Sequence, residues 1–172
     1  MDNKILVAID DSENAMRVVE FIANLFTTDT QITLFNVVQD TAALCEMNSP
    51  ELTPYFKSQQ HSFCLLEDKK KELVDEALHK AKEVLLGAGF DEKNITIKSE
   101  VIKRGVARDI VKEAQSGYST IVLGRRGVSG IKEFILGSVS QKVFNLAKDI
   151  SVFSCKLGAA QMRAGGIQGA VL

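Results

Sequence analysis

Near-continuous apolar runs, rich in β-branched residues, recur along the chain and alternate with segments of a different period. Such runs occupy residues 4–10, 31–38 and 119–124, and they are typical of strands buried on both faces of a parallel sheet. Residues 95–101 alternate between apolar and polar side chains, which predicts a half-exposed strand nearer the sheet edge. A fifth strand is predicted at residues 150–155.

The segments between these strands carry apolar residues at helical spacing, which predicts four helices. Glycine stop signals follow two of them, at Gly87 with Gly89 and at Gly117. The apolar positions predicted to face inward are Ala15, Val18, Val19, Ile22 and Leu25 in the first helix, Leu66, Leu73, Ala77, Ala81, Val84 and Leu85 in the second, Val106, Ile110 and Ala114 in the third, and Val139, Val143 and Leu146 in the fourth.

Residues 40–62 show no clean period and contain both prolines of the chain, Pro50 and Pro54. They are predicted to form a long connection with room for a short helix, and such connections are usually functional or mobile. The alternation of strands and helices favours one α/β domain over residues 1–156, with a parallel sheet covered on both faces. Residues 157–172 are rich in Gly and Ala without a period, which predicts a flexible tail.

The charges are nearly balanced, with 21 basic and 22 acidic residues interleaved along the chain. This balance argues against broad binding of nucleic acid or of an anionic membrane, because both need a basic patch. The run Lys69-Lys70-Lys71 is interpreted as the solvated face of a charged helix. No apolar stretch approaches the roughly 18 residues of a membrane span, and no secretory signal follows Met1.

The cysteines and histidines suggest no redox or metal centre. Cys45, Cys64 and Cys155 are odd in number and form no CxxC pair, so they are predicted to be free, reduced thiols, with Cys155 in the core. Reduced thiols predict a cytoplasmic protein. His61 and His79 have no nucleophile context and are predicted to be solvated surface residues.

A glycine-rich loop connects the fourth strand to the last helix, and it is the best candidate for chemistry. Gly124 and Gly127 lack a Cβ, so the backbone there can approach a ligand closely. Gly137 and Ser138 stand at the start of the helix, where the first amide N–H groups have no partner within the helix and attract phosphate. The carboxyl edge of an open α/β sheet is also where ligands bind.

Three basic residues in this loop, Arg125, Arg126 and Lys132, would place positive charge near outer phosphates. The loop is neither a Walker A sequence nor a GxGxxG dinucleotide fingerprint. Its residues alone therefore leave two interpretations open, a phosphate site or plain turns followed by a helix cap.

The spacing Gly124-x2-Gly127-x9-Gly137-Ser138 resembles the G-2x-G-9x-G-(S/T) nucleotide loop of ATP-binding universal stress proteins. Residues 5–13 are similar to the opening segment of that family, and the resemblance covers roughly residues 3–155. It implies a three-layer sandwich of the adenine nucleotide alpha hydrolase-like type, with a five-stranded parallel sheet in the order 3-2-1-4-5.

The resemblance also implies roles for single residues. Asp10 would bind the ribose hydroxyls, Ala8 would line the adenine slot, the backbone of Val37 would meet the adenine edge, and Gly124 would lie against the ribose. Gly127, Gly137, Ser138 and Val139 would hold the phosphates mainly through main-chain N–H groups, beside the charges of Arg125 and Arg126 that the loop itself supplies. From the residues alone, Asp10 could instead be a helix N-cap, a role that does not exclude ribose binding, and Val37 is a core residue whose backbone alone would touch a base.

The resemblance implies an ATP-binding (or AMP- or ADP-binding) regulatory or stress-response module, with Mg²⁺ or Mn²⁺ beside the triphosphate. No convincing general base or nucleophile pair is visible, so at most slow hydrolysis is expected. The alternatives are a nucleotidyl-transfer or ATP-hydrolysing enzyme, with Asp10 or Asp11 holding a metal, and an interaction module with a vestigial site. A homodimer through the last strand is implied as well, although residues 150–155 lack the family's usual proline.

Overall fold

The sheet has five parallel strands. The computed structural model describes residues 4–10, 12–47, 53–124 and 137–155. The strands are β1 (Lys4–Ala8), β2 (Gln31–Val38), β3 (Ile95–Val101), β4 (Thr120–Gly124) and β5 (Ser151–Cys155), and their order is β3-β2-β1-β4-β5. The order and the parallel pairing confirm the predicted fold class.

Helices cover both faces of this sheet and complete a three-layer arrangement. They are α1 (Glu13–Leu25), α2 (Ala42–Cys45), α3 (Pro54–Gly87), α4 (Val106–Ala114) and α5 (Ser138–Leu146). A short 3₁₀ turn, Glu92–Asn94, precedes β3. In β1, Ile5 and Val7 pack in the core under α1 and α3, while Leu6 packs with α4 and α5. These three side chains are fully buried, which is why the run at residues 4–10 is apolar without alternation.

The long connection predicted over residues 40–62 is wrong, because α3 already begins at Pro54. Thr53 caps this helix by accepting a hydrogen bond from the Phe56 amide, and Pro54 occupies the first turn, where its missing N–H costs nothing. All buried residues of α3 belong to its second half, starting at Val74. The first half shows no helical period because no sheet lies beneath it.

The buried face of α3 agrees with the predicted one at Ala81 and Leu85 and differs from it at other positions. Val74, Leu78, Ala81 and Leu85 are buried at steps of four, three and four residues. Leu73 precedes this stripe by one residue, about 100° around the helix, so it is exposed. Other positions predicted to face inward but found exposed are Leu25, Leu66, Val139 and Leu146.

Free thiols at Cys45 and Cys64 are a second wrong prediction, since these cysteines form a disulfide that joins α2 to α3. Gln60 reinforces the junction by donating hydrogen bonds from Nε2 to the carbonyl oxygens of Leu44 and Met47. Cys155 is free and buried, as predicted, and burial raises the pKa of its thiol. The disulfide closes a loop with a sequence separation of 19.

Reducing this disulfide should lower the free energy of unfolding by about 2–3 kcal/mol, because the unfolded chain regains the entropy that the closed loop removes. Urea unfolding of the oxidised protein with and without a thiol reductant measures the difference. Cys45→Ser is the matched control, since its unfolding should not respond to the reductant. Superimposable curves for the wild-type protein would contradict the assignment.

Candidate functional site

A cavity of about 340 Å³ opens at the carboxyl edge of the sheet, around the ends of β1, β2 and β4. Seven of the residues predicted to bind the ligand line it, namely Ala8, Asp10, Val37, Gly124, Gly137, Ser138 and Val139. The other three, Arg125, Arg126 and Gly127, lie outside the described residues, as do Asp11 and Lys132. Residues from both ends of the glycine loop therefore meet Asp10 at one cavity, although Asp10 is more than a hundred positions away in sequence.

The start of α5 forms one wall of the cavity. Gly137 is the N-cap residue, with φ −56° and ψ 150°, and its carbonyl accepts the first helical hydrogen bond, from the Gln141 amide. Gly137 has no side chain to cap the first amides of the helix, which include those of Ser138 and Val139. These amides and the positive end of the helix dipole make the wall attractive to an anion.

Ser140 is a buried residue that the sequence analysis missed. Its hydroxyl donates a hydrogen bond to the Gly124 carbonyl oxygen at 2.8 Å, and its side chain lines the cavity. This bond joins the first turn of α5 to the end of β4, so the two ends of the glycine loop are held at a fixed separation. Its position two residues after Ser138, in the first turn of the predicted helix, was the feature of the sequence that pointed to Ser140.

Asp10 lies immediately beyond β1 and is only partly buried. Its Oδ1 accepts hydrogen bonds from both the amide and the hydroxyl of Ser12. Ser12 itself caps α1, since its Oγ accepts from the Ala15 amide at 3.3 Å. The alternative role of Asp10 as the N-cap is therefore wrong. The carboxylate orients the true cap and keeps acceptor capacity for further donors.

Asn36 is the second cavity residue that the sequence analysis missed. It belongs to β2, its side chain is only 7% exposed, and its Nδ2 donates a hydrogen bond to the Ile9 carbonyl oxygen. Its Oδ1 is buried and has no hydrogen-bond partner among the described residues. An amide side chain in the middle of the apolar stretch at residues 32–38 was the feature of the sequence that pointed to it.

Helix α3 closes the cavity on the other side, through Glu67, Lys70, Lys71 and Val74. Lys71 donates a hydrogen bond from Nζ to Thr41 Oγ1 at 3.3 Å, which links α3 to the segment after β2. The lysine run was predicted to lie on a solvated helix face. Lys69 fits this prediction, since its Nζ forms a surface ion pair with Glu72 Oε2 at 2.9 Å. Lys70 and Lys71 are also exposed, but they line the cavity mouth.

The loop after β3 is held by a buried carboxylate. Asp109 accepts hydrogen bonds from the Lys103 amide at 2.8 Å and from the Arg104 amide at 3.2 Å. Burial is the largest single influence and raises its pKa, but the amides of Lys103, Arg104 and Gly105 together with the Lys103 charge outweigh it. The net result is a pKa of Asp109 below its ordinary value. Asp109 is therefore a structural anion that shapes the loop.

None of the described helices is both long enough and apolar enough to cross a membrane. Within the same parts of the chain, no group of three or more His, Cys, Asp or Glu side chains is placed to hold a metal ion. The predicted surface positions of His61 and His79 are confirmed, since both are exposed and His79 lies 3.7 Å from Asp75.

The fold and cavity define an α/β protein with a cavity at the carboxyl edge of its parallel sheet, and its relatives give the family. The model of the universal stress protein family matches residues 1–149. The universal stress protein YxiE of Bacillus subtilis (strain 168) is 30% identical over 149 residues, which are 86% of this chain and 95% of YxiE. The chain therefore belongs to the universal stress protein family.

Solved structures agree on the fold. The hypothetical protein MJ0577 superposes with a TM-score of 0.66 at 22% identity, over 93% of this chain and 99% of MJ0577. A universal stress protein in complex with cAMP superposes with a TM-score of 0.57 at 17% identity, over 88% of this chain and 94% of that chain.

Proposed function

We propose that this protein binds ATP, or the closely related ADP or AMP, in the carboxyl-edge cavity and acts as a nucleotide-dependent regulatory or stress-response module. The observation that carries the proposal is the start of α5. There Gly137 offers no side chain to cap the amides of Ser138 and Val139, two residues that line the cavity. Such a wall favours an anionic group, and phosphate is the most common anion bound in this way.

The rest of the cavity suits the remainder of a nucleotide. Its volume of about 340 Å³ lies within the range typical of small-molecule sites. Asp10 offers acceptor oxygens to ribose hydroxyls, while Ala8 and the backbone of Val37 offer an apolar slot and a hydrogen-bonding edge to adenine. The related structure with cAMP holds an adenine nucleotide in the same fold.

The phosphate end of the site would be completed by Arg125, Arg126 and Gly127 of the glycine loop. Mg²⁺ or Mn²⁺ would be held by phosphate oxygens and water, since hard divalent ions prefer oxygen ligands and keep part of their hydration shell. We expect little or slow hydrolysis, because positive charge and amides hold phosphates in place without themselves activating a water molecule.

Calorimetric titration of the freshly purified protein with ATP and magnesium tests the binding, and a phosphate-release assay tests the hydrolysis. We expect saturable binding and a turnover below about 1 s⁻¹, the low end of typical enzymes. A flat titration would refute nucleotide binding and favour an interaction module. A faster, metal-dependent turnover that is lost in Asp10→Asn would refute the regulatory role and favour an enzyme.

We also propose a cytoplasmic location, which rests on the nucleotide ligand alone because the Cys45–Cys64 disulfide removes the argument from reduced thiols. In the cytoplasm this disulfide would form only under oxidising conditions. We also propose a homodimer through β5, which lies at one edge of the sheet. Its Phe153 is 44% exposed and contacts Phe21, with the ring centroids 5.9 Å apart, so apolar surface accompanies the strand edge. Sedimentation of a monomer at micromolar concentration would contradict the dimer.

A further inference from the structure

The structure assigns a specificity-determining role to Asn36: we propose that its Oδ1 accepts a hydrogen bond from the exocyclic amino group of a bound adenine and so excludes 6-oxo purines. This inference rests on the proposed nucleotide binding and adds the residue that selects the base. It begins from the buried Oδ1, which has no partner among the described residues. A buried polar atom without a partner is uncommon in a native protein, and each instance calls for an explanation.

The direction of this oxygen is fixed by the other half of the amide. Asn36 Nδ2 donates to the Ile9 carbonyl oxygen. A flipped amide would place two acceptor oxygens against each other, so only the observed orientation is stable. Oδ1 is therefore held as an acceptor, in a residue that lines the cavity and is 7% exposed. No described residue supplies the N–H or O–H donor that would satisfy it, and a ligand that enters the cavity would bring one.

The surroundings of Asn36 favour a base over the polar parts of a nucleotide. Ile9, Ala15 and Val74 line the same cavity and are 3%, 3% and 7% exposed. An apolar wall of this kind accepts a flat aromatic ring more readily than a sugar or a phosphate. Asp10 and the start of α5 provide the acceptor and the amides that those polar groups need. The donor opposite Asn36 is then the 6-amino group, which adenine has and hypoxanthine lacks.

Competition titrations of the full-length protein with ATP and ITP test this assignment, because ITP carries an acceptor oxygen in place of the 6-amino group. We expect ATP to bind about 10- to 100-fold more tightly than ITP. In Asn36→Leu the preference should fall below about threefold, mainly through weaker ATP binding. A purely structural role would weaken the binding of both nucleotides equally and leave the ratio unchanged.

Two further variants make the test independent of folding defects. Asn94→Leu is the matched control, because the Asn94 side chain also donates to a backbone carbonyl oxygen, that of Thr28 at 3.3 Å, but precedes β3 at the opposite edge of the sheet. It should keep the full preference. Asn36→Val, which suits a strand and carries no acceptor, replaces Asn36→Leu if the latter does not fold.

The outcomes separate this inference from the function on which it rests. Equal binding of ATP and ITP by the wild-type protein, or an unchanged preference in the Asn36 variants, would overturn the role of Asn36 and leave nucleotide binding intact. If the ratio of ATP to 2′-deoxy-ATP affinity changes in Asn36→Leu while that of ATP to ITP does not, Oδ1 serves the ribose and the assignment is wrong. Failure of both ATP and ITP to bind would overturn the proposed function itself.

Discussion

Gly137→Asp should weaken ATP binding by at least about 30-fold while leaving the fold intact. The new carboxylate would stand at the N-cap of α5, where the phosphates are proposed to bind. Two like charges about 4 Å apart near a protein surface repel by up to about 4 kcal/mol, and solvent screening leaves roughly half of this. About 2 kcal/mol corresponds to a 30-fold change in the dissociation constant.

The substitution is informative because it should not damage the helix. Gly137 has a φ of −56°, which any residue adopts, and aspartate is among the preferred N-cap residues. Gly137→Asn is the matched control, since it has nearly the same shape and capping ability without the charge. Its ATP affinity should fall only a few-fold, measured by the same calorimetric titration. Similar affinities for the aspartate variant and the wild-type protein would mean that phosphate binds elsewhere.

Leu78→Ala should lower the free energy of unfolding by about 3–5 kcal/mol. Leu78 is fully buried in the core cluster that also contains Ile22 and Leu34, so truncation leaves a cavity between α3 and the sheet. Leu66→Ala, in the same helix, is the control. That side chain is 70% exposed, and its loss should change stability by less than about 0.5 kcal/mol.

Chemical denaturation of the two variants measures both effects and also tests the orientation of α3. The sequence pattern alone places Leu66 on the inward face, so it predicts a substantial loss for Leu66→Ala. In the structure Leu66 is exposed and Leu78 is buried, together with Ala81 and Leu85 of the predicted face. Equal destabilisation by the two substitutions would contradict the described packing.

The sequence predicted the sheet well because the strands are buried and their patterns are unambiguous. Residues 31–38 are predicted as a strand and form β2 with the same bounds. The helices were harder to predict. Apolar residues at helical spacing show that a helix packs against the sheet, and a helix without that contact need not have them. Residues 54–62 are helical without such a contact, held instead by the cap at Thr53 and by the junction with α2.

The candidate site was predictable where backbone geometry depends on particular residue types. Glycines mark the start of α5, and an aspartate marks the end of β1, so both were found in the sequence. Asn36 and Ser140 were not, because their importance comes from atoms that only the fold brings near, the carbonyl oxygens of Ile9 and Gly124. The pairing of Cys45 with Cys64 likewise depends on how α2 meets α3.

The most direct test of the central claim is an amide NMR titration of the ¹⁵N-labelled protein with ATP and magnesium. The amide resonances of Ser138 and Val139 should shift with saturable dependence on ATP, since both residues line the cavity at the start of α5. The resonances of Glu92–Asn94 should not shift, because these residues precede β3 and lie at the amino-terminal end of the strands, away from the cavity. Resonances of Ser138 and Val139 that do not move at saturating ATP would contradict the proposed site.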